Sequence, residues 1–216
     1  MKYRCLVFDH DDTIVNSTAS IHHPCFQAFL DQYRPGQTCT FDEYIMKNFS
    51  PGFVQMCRED YAFGDEDLDV ELAFWKNYVQ NHTPVVFPGI REIIQRQKAD
   101  GGLVCVVSHS LDVNILRDFA CNHLPEPDAV YGWERPPEQR KPNPFPMEDI
   151  IRRFSLSPDE ILMIDDLKPG YDMAKSCGVA FAAAGWAYRI PKIEDFMRRN
   201  SDFYFASPDE LAAFIL

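Results

Sequence analysis

Basic residues are in short supply. Against 33 Asp and Glu the 216-residue chain sets only 21 Lys and Arg, for a net charge of −12. A surface of that sign repels phosphate backbones and anionic bilayers, which argues against nucleic acid or a membrane as the main partner. Any anionic substrate has to meet a local offset to the field. Long apolar runs are missing too: none is long enough to span a bilayer, and Asp9 interrupts the first one too early for a secretory leader. No two of the seven cysteines have CxxC spacing, and Cys5 and Cys105 lie inside apolar stretches. Reduced, mostly buried thiols in a cytoplasmic protein are therefore expected. There are no internal repeats and no low-complexity segments.

What the chain does have is a series of short, unbroken apolar runs: Cys5–Phe8, Leu103–Val107, Ala129–Tyr131, Ile161–Ile164, Val179–Ala183 and Phe203–Phe205. Runs of this kind suit strands covered on both faces. Helical spacing fills most of the gaps. Ile90, Ile93 and Ile94 share a face, as do Ile115, Leu116 and Phe119, with Ser110 placed to cap the second of these helices. Pro169 and Gly170 open a further helix that Gly178 ends. Strands alternating with helices predict an α/β fold, a Rossmann-like parallel sheet flanked by helices.

One region breaks the alternation. Between Ser17 and Pro84 the pattern gives amphipathic helices only, around His22–Tyr33, Phe41–Asn48 and Asp67–Asn81, and the stretch TPVVFPG then reads as a return linker. The expected organisation is an α/β core of residues 1–16 plus 85–216, with a helical domain, 17–84, inserted after the first strand.

The chemistry concentrates in FDHDDT. Asp9 ends the first strand, and open α/β sheets bind ligands beyond the carboxyl ends of their strands. Asp9 and Asp11 are two residues apart, so an extended chain points them the same way. Two carboxylates in one site ionise together only when a cation joins them, and a hard divalent ion with oxygen ligands answers that. The plainer reading of the motif is a solvated acidic loop. Other strand ends carry further candidates: Ser108 in VVSHS, Lys141 in RKPNP, and Asp165-Asp166 before Leu-Lys-Pro-Gly. Taken singly, such a serine is more often a turn or a cap, such a lysine more often solvated, and the Asp-Asp pair reads as a plain turn. Their order, at successive strand ends, is the specific signal.

In that order the four segments resemble the motifs of the haloacid-dehalogenase-like hydrolase superfamily: DxDx(T/V) in FDHDDT, Ser108, Lys141 in a KPxP setting, and the acidic pair of MIDDLKPGYDMAKSCG. FPGIREII is similar to the superfamily's re-entry from its cap. The resemblance implies Asp9 as a nucleophile that takes up phosphate and Asp11 as general acid and then base. It implies Mg²⁺ at Asp9, the main-chain carbonyl of Asp11 and Asp166, supported by Asp165. Ser108 and His109 would then touch the phosphoryl group, and Lys141 would pair with both it and Asp9. Asp12 stands where the family often has glycine and reads as structural.

Within the superfamily, a carboxylate at Asp11 favours phosphoryl transfer over dehalogenation, and Thr13 is usual in its phosphatases. Phosphosugar mutases carry a histidine where this chain has Ile21, with His22 and His23 just beyond, so that reading stays open beside a non-catalytic binding protein on the same fold. The insertion would be a small helical cap that chooses the substrate, with His22, His23 and Arg58 as candidate selectors, Gln27 and Lys47 beside them, and the loop NFSPGF at its edge. No basic cluster marks the insertion, which suits a small phosphorylated metabolite rather than a polyphosphate. The sequence does not decide between monomer and homodimer.

Overall fold

In the computed structural model, which describes residues 2–215, strands β1 (Cys5–Phe8) and β2 (Val15–Asn16) come first. Helices α1 (His23–Tyr33), α2 (Phe41–Phe49), α3 (Phe53–Asp60) and α4 (Asp65–Val79) follow, and β3 (Val85–Val86) leads back to α5 (Ile90–Ala99). The alternation then runs β4 (Leu103–Val107), α6 (Asp112–Cys121), β5 (Ala129–Tyr131), α7 (Phe145–Phe154), β6 (Ile161–Asp165) and α8 (Lys168–Ser176). It closes with β7 (Ala180–Ala184), α9 (Pro191–Asn200), β8 (Phe203–Phe205) and α10 (Pro208–Ile215).

Six strands form one sheet in the order β5-β4-β1-β6-β7-β8, every pairing parallel. The apolar runs dictate this. Every residue of β1 and β6 is fully buried, and β4 is nearly so, which requires cover on both faces and hence helical crossovers. From the sheet, Leu6, Phe8, Val104, Val106, Leu162 and Ile164 join Ala182, Ala184 and Phe205 in the main core, and Ile90, Ile93 and Ile94 of α5 pack in it. β1 is central, so Asp9 emerges between the ends of β4 and β6.

By compactness the chain divides into Met1–Asn16 with Val85–Leu216, and Ser17–Pro84. The second unit has its own aromatic core. Phe26 meets Tyr61 edge-on at 5.3 Å between centroids and Phe53 at 5.4 Å. Its α2 opens with a reciprocal cap, in which the Thr40 hydroxyl accepts from the Glu43 N–H while the Glu43 carboxylate accepts from the Thr40 N–H.

Several sequence expectations need correction. The return linker contains β3, which pairs antiparallel with β2 where the chain leaves and re-enters the sheet unit; two-residue strands give no periodicity to read. The helix α3 was missed because Pro51-Gly52 masks its start, although Phe53, Met56 and Cys57 have helical spacing. The helix α4 begins and ends two residues earlier than expected, at the same length, because Asp67 accepts the Gly64 N–H and so caps an earlier start. On α6, Ile115 and Phe119 are buried but Leu116 is 41% exposed, so it does not share their face. Leu111, not Ser110, is that helix's N-cap.

Candidate active site

The ends of the three central strands bring together side chains far apart in sequence. Asp9 continues β1 by one residue, its N–H donating to the Ile164 carbonyl at 2.8 Å. Beside it lie Asp165 at the end of β6, Asp166 one residue on, and Lys141 from the loop between β5 and α7. All four are at most 5% exposed, and among the described residues Lys141 is the one buried lysine or arginine. Its ammonium donates to Asp9 Oδ1 at 2.6 Å and to Asp165 Oδ2 at 2.7 Å.

Asp165 and Asp166 have further partners. Asp165 Oδ1 accepts the Leu167 N–H at 2.7 Å, which ties it to the start of α8. That approach requires Gly170: a Cβ there would overlap the Asp165 carboxylate. Asp166 Oδ2 accepts the Tyr188 hydroxyl at 2.8 Å, and Oδ1 accepts the Thr13 hydroxyl at 3.2 Å. Ligand atoms of Asp9, Asp165 and Asp166 lie within 4.8 Å of one another.

Charge in this cluster does not balance: three buried carboxylates face one ammonium. Burial works against the Lys141 charge, but Asp165 and Asp9 outweigh it and hold the lysine protonated well beyond its usual range. Burial pushes Asp165 up to about 7, Lys141 drawing it down and Asp9 adding to the rise. Asp166 is raised well above the carboxylate range by burial, then by the charges of Asp165, Asp9 and Asp12. Protonation is one way to relieve such a site. A hard divalent cation is the other, and an all-oxygen set at this spacing fits one.

Next to the cluster, Asp11 Oδ2 accepts the Ser110 hydroxyl at 2.5 Å and lies 3.4 Å from the Ser108 hydroxyl. The Asp11 carboxylate is outside the three-residue ligand set. Ser108, 2% exposed, accepts the Ser110 N–H at 3.2 Å. The His109 Nε2–H donates to the Lys141 carbonyl at 2.8 Å, which fixes the loop that carries the lysine.

The remaining candidates, His22, His23 and Arg58, belong to the helical unit. His22 Nδ1 accepts the Trp75 indole N–H at 3.1 Å, the His23 Nε2–H donates to the Cys39 carbonyl at 2.7 Å, and Arg58 pairs with Asp65 at 2.6 Å. The structure adds two residues that sequence reasoning passed over. Ser110 was read as a helix cap, but its hydroxyl turns to Asp11. Tyr188 lies four residues beyond β7, in no motif, and its only signal was a place past a strand end.

Comparison with known proteins shows what the chain resembles as a whole. The family model described as haloacid dehalogenase-like hydrolase matches residues 6–184. A pyrophosphatase, PpaX, of Halalkalibacterium halodurans is 23% identical over 216 residues, covering 98% of this chain and 96% of that protein. A phosphoglycolate phosphatase of Pasteurella multocida is 23% identical over 210 residues, covering 89% of this chain and 91% of that one. Among solved structures, CbbY of Rhodobacter sphaeroides in complex with xylulose-(1,5)bisphosphate shares the fold with a TM-score of 0.73 at 16% identity, covering 97% of this chain and 96% of its own.

Proposed function

Because the chain belongs to the haloacid dehalogenase-like hydrolase family, we propose that it is a Mg²⁺-dependent phosphatase that hydrolyses a small phosphomonoester through an aspartyl-phosphate. The observation that carries this reading is Lys141 held between Asp9 and Asp165 with Asp166 beside them, a cluster of three carboxylates and one ammonium. Its excess negative charge calls for a cation, and a phosphate dianion enters only when one is present. The named relatives, a pyrophosphatase and a phosphoglycolate phosphatase, act on small phosphorylated compounds.

Asp9, Asp166 and the main-chain carbonyl of Asp11 would hold the ion, with Asp165 in support. When bound, Mg²⁺ neutralises phosphoryl charge and so lowers the cost of bringing an anion to a carboxylate nucleophile. An Asp9 carboxylate oxygen attacks phosphorus, and the bond from phosphorus to the leaving oxygen breaks. Asp11, entering as the acid, gives its proton to that oxygen. It then takes a proton from a water whose oxygen attacks the same phosphorus, which frees Asp9 and releases inorganic phosphate. Lys141 keeps Asp9 oriented and pairs with a phosphoryl oxygen, and the Ser108 hydroxyl and the His109 loop hold another. Substrate choice is assigned to the helical unit, through His22, His23 and Arg58.

The test is phosphate release from 4-nitrophenyl phosphate and from a panel of metabolite monophosphates, with Mg²⁺ and with chelator. Activity that requires Mg²⁺ and falls to background in Asp9→Asn is the expected result. Turnover of no substrate, or equal activity in Asp9→Asn, would sink the assignment.

A further inference from the structure

His10, between the two aspartates, has no part in this chemistry, yet it is 1% exposed. The chain bends at His10, and the ring lies against α6. There its Nε2–H donates to Asp118 Oδ2 on α6 at 3.0 Å, and its ring stacks on Phe119 with centroids 6.3 Å apart. Asp118 is 3% exposed, and its Oδ1 accepts from Arg117 Nε and Nη2 at 2.9 and 2.7 Å. The His10 carbonyl accepts the N–H groups of Ile14 and Val15 at 2.9 and 3.1 Å. Its Nδ1 is buried with no hydrogen-bond partner among the described residues.

Stability does not account for such a pair. It takes two polar groups out of water and leaves one nitrogen unpaired, whereas two leucines would fill the space with no polar group to desolvate. What leucines cannot supply is a fixed direction. Asp11 is the residue that needs one. Asp9 is bonded into the sheet and paired with Lys141, while Asp11 lies beyond the strand. The segment leading into α6 already holds Asp11 through Ser110. So α6 and its lead-in grip the loop from both sides, Asp118 on His10 and Ser110 on Asp11.

We propose that His10 and Asp118 are a positioning pair which, with Ser110, aims the Asp11 carboxyl at the leaving-group oxygen. The inference rests on Asp11 being the general acid of the preceding section. A loosened loop displaces Asp11 more than Asp9, so the loss follows the leaving group's need for the proton that Asp11 delivers. An alkoxide needs that proton, and 4-nitrophenolate leaves without it.

The experiment measures kcat and KM of the full chain with Mg²⁺, on 4-nitrophenyl phosphate and on an alkyl monophosphate that the wild type hydrolyses. The variants are His10→Leu, Asp118→Leu, the double variant, His10→Gln and Asp118→Asn. The leucine variants are expected to lose about ten- to a hundred-fold in kcat on the alkyl ester and less than about three-fold on the aryl ester, with KM within about two-fold. The double variant loses no more than either single, since the two residues act as a unit, and it melts within a few degrees of the wild type. His10→Gln, whose amide reaches Asp118, recovers most of the alkyl-ester rate. Should leucine not be tolerated, His10→Ala and Asp118→Ala carry the test with the same dependence on leaving group expected, while Asp118→Asn, whose amide oxygen still accepts the His10 Nε2–H, keeps most of the alkyl-ester rate. Equal losses on the two esters, an unchanged alkyl-ester rate in the leucine or alanine variants, or no rescue by glutamine would overturn the positioning pair alone. A wild type inactive on every phosphomonoester would overturn the phosphatase reading and this inference with it.

Discussion

Lys141 donates to Asp9 at 2.6 Å although 132 positions separate them in sequence, and the same ammonium reaches Asp165 at 2.7 Å. One buried cation thus orients the proposed nucleophile and holds together two carboxylates that would otherwise repel. Removing it leaves both desolvated without their counter-charge.

Lys141→Met is therefore expected to lower kcat by about a hundred-fold or more and to destabilise the metal-free protein, since breaking a buried pair from one side costs about 3–5 kcal/mol. Lys141→Arg should rescue neither, because a planar guanidinium does not fit a point between two carboxylates this close. Steady-state kinetics and thermal melts in chelator check both. A Lys141→Arg protein with wild-type kcat would show that charge alone is needed.

Gly170 lets α8 start against the Asp165 carboxylate. Gly170→Ala should push that carboxylate out of line and weaken metal binding by about ten-fold or more, the usual scale for a disturbed supporting contact. The measurement is the rise in melting temperature on adding Mg²⁺. Binding to the folded state alone contributes about 2.7 kcal/mol at a hundred times Kd, so the titration reads affinity without turnover. An alanine variant with the wild-type Mg²⁺ dependence would show that the close approach has no bearing on the ion.

Glu71, on α4, is 6% exposed, and burial raises its carboxyl to about 7, with His22 pulling the other way. Cys25 of α1, Tyr44 of α2 and Cys57 of α3 also face it and carry no positive charge to offset its own. The unfolded carboxyl titrates near 4.3. Between those values the folded chain binds the extra proton, so stability is greatest at the acid end and declines as pH rises to about 7. Glu71→Gln should then be more stable than wild type at pH 8 by on the order of 2–3 kcal/mol, with the difference vanishing near the unfolded pKa. Denaturant unfolding followed by tryptophan fluorescence at pH 5 and pH 8 gives the comparison. Equal stabilities at pH 8 would mean that the carboxylate is solvated.

Much of this molecule was legible in the chain alone. Unbroken apolar runs have one good solution, strands covered on both faces, and four of the six expected runs, Cys5–Phe8, Leu103–Val107, Ala129–Tyr131 and Phe203–Phe205, match β1, β4, β5 and β8 residue for residue. Asp9, Ser108, Lys141 and the Asp165-Asp166 pair were visible because strand ends are where such a sheet does chemistry, and the order of the four segments was specific. Less legible were elements whose signal is shorter than a period, such as β2 and β3, or hidden behind a turn, such as α3.

What only the tertiary structure decided is which polar groups meet. Sequence spacing placed Asp9 and Asp11 on one side, but it could not say that Lys141 bridges Asp9 to Asp165, that Tyr188 and Thr13 hold the two oxygens of Asp166, or that Ser110 serves Asp11 instead of capping α6. Nor could it pair His10 with Asp118. The physical reason is range. Periodicity and caps are local, set by a few neighbouring residues, and a chain displays them along its length. A hydrogen bond between side chains a hundred residues apart depends on angstrom-scale placement by the packed sheet, and no pattern of residue types along the chain encodes that distance.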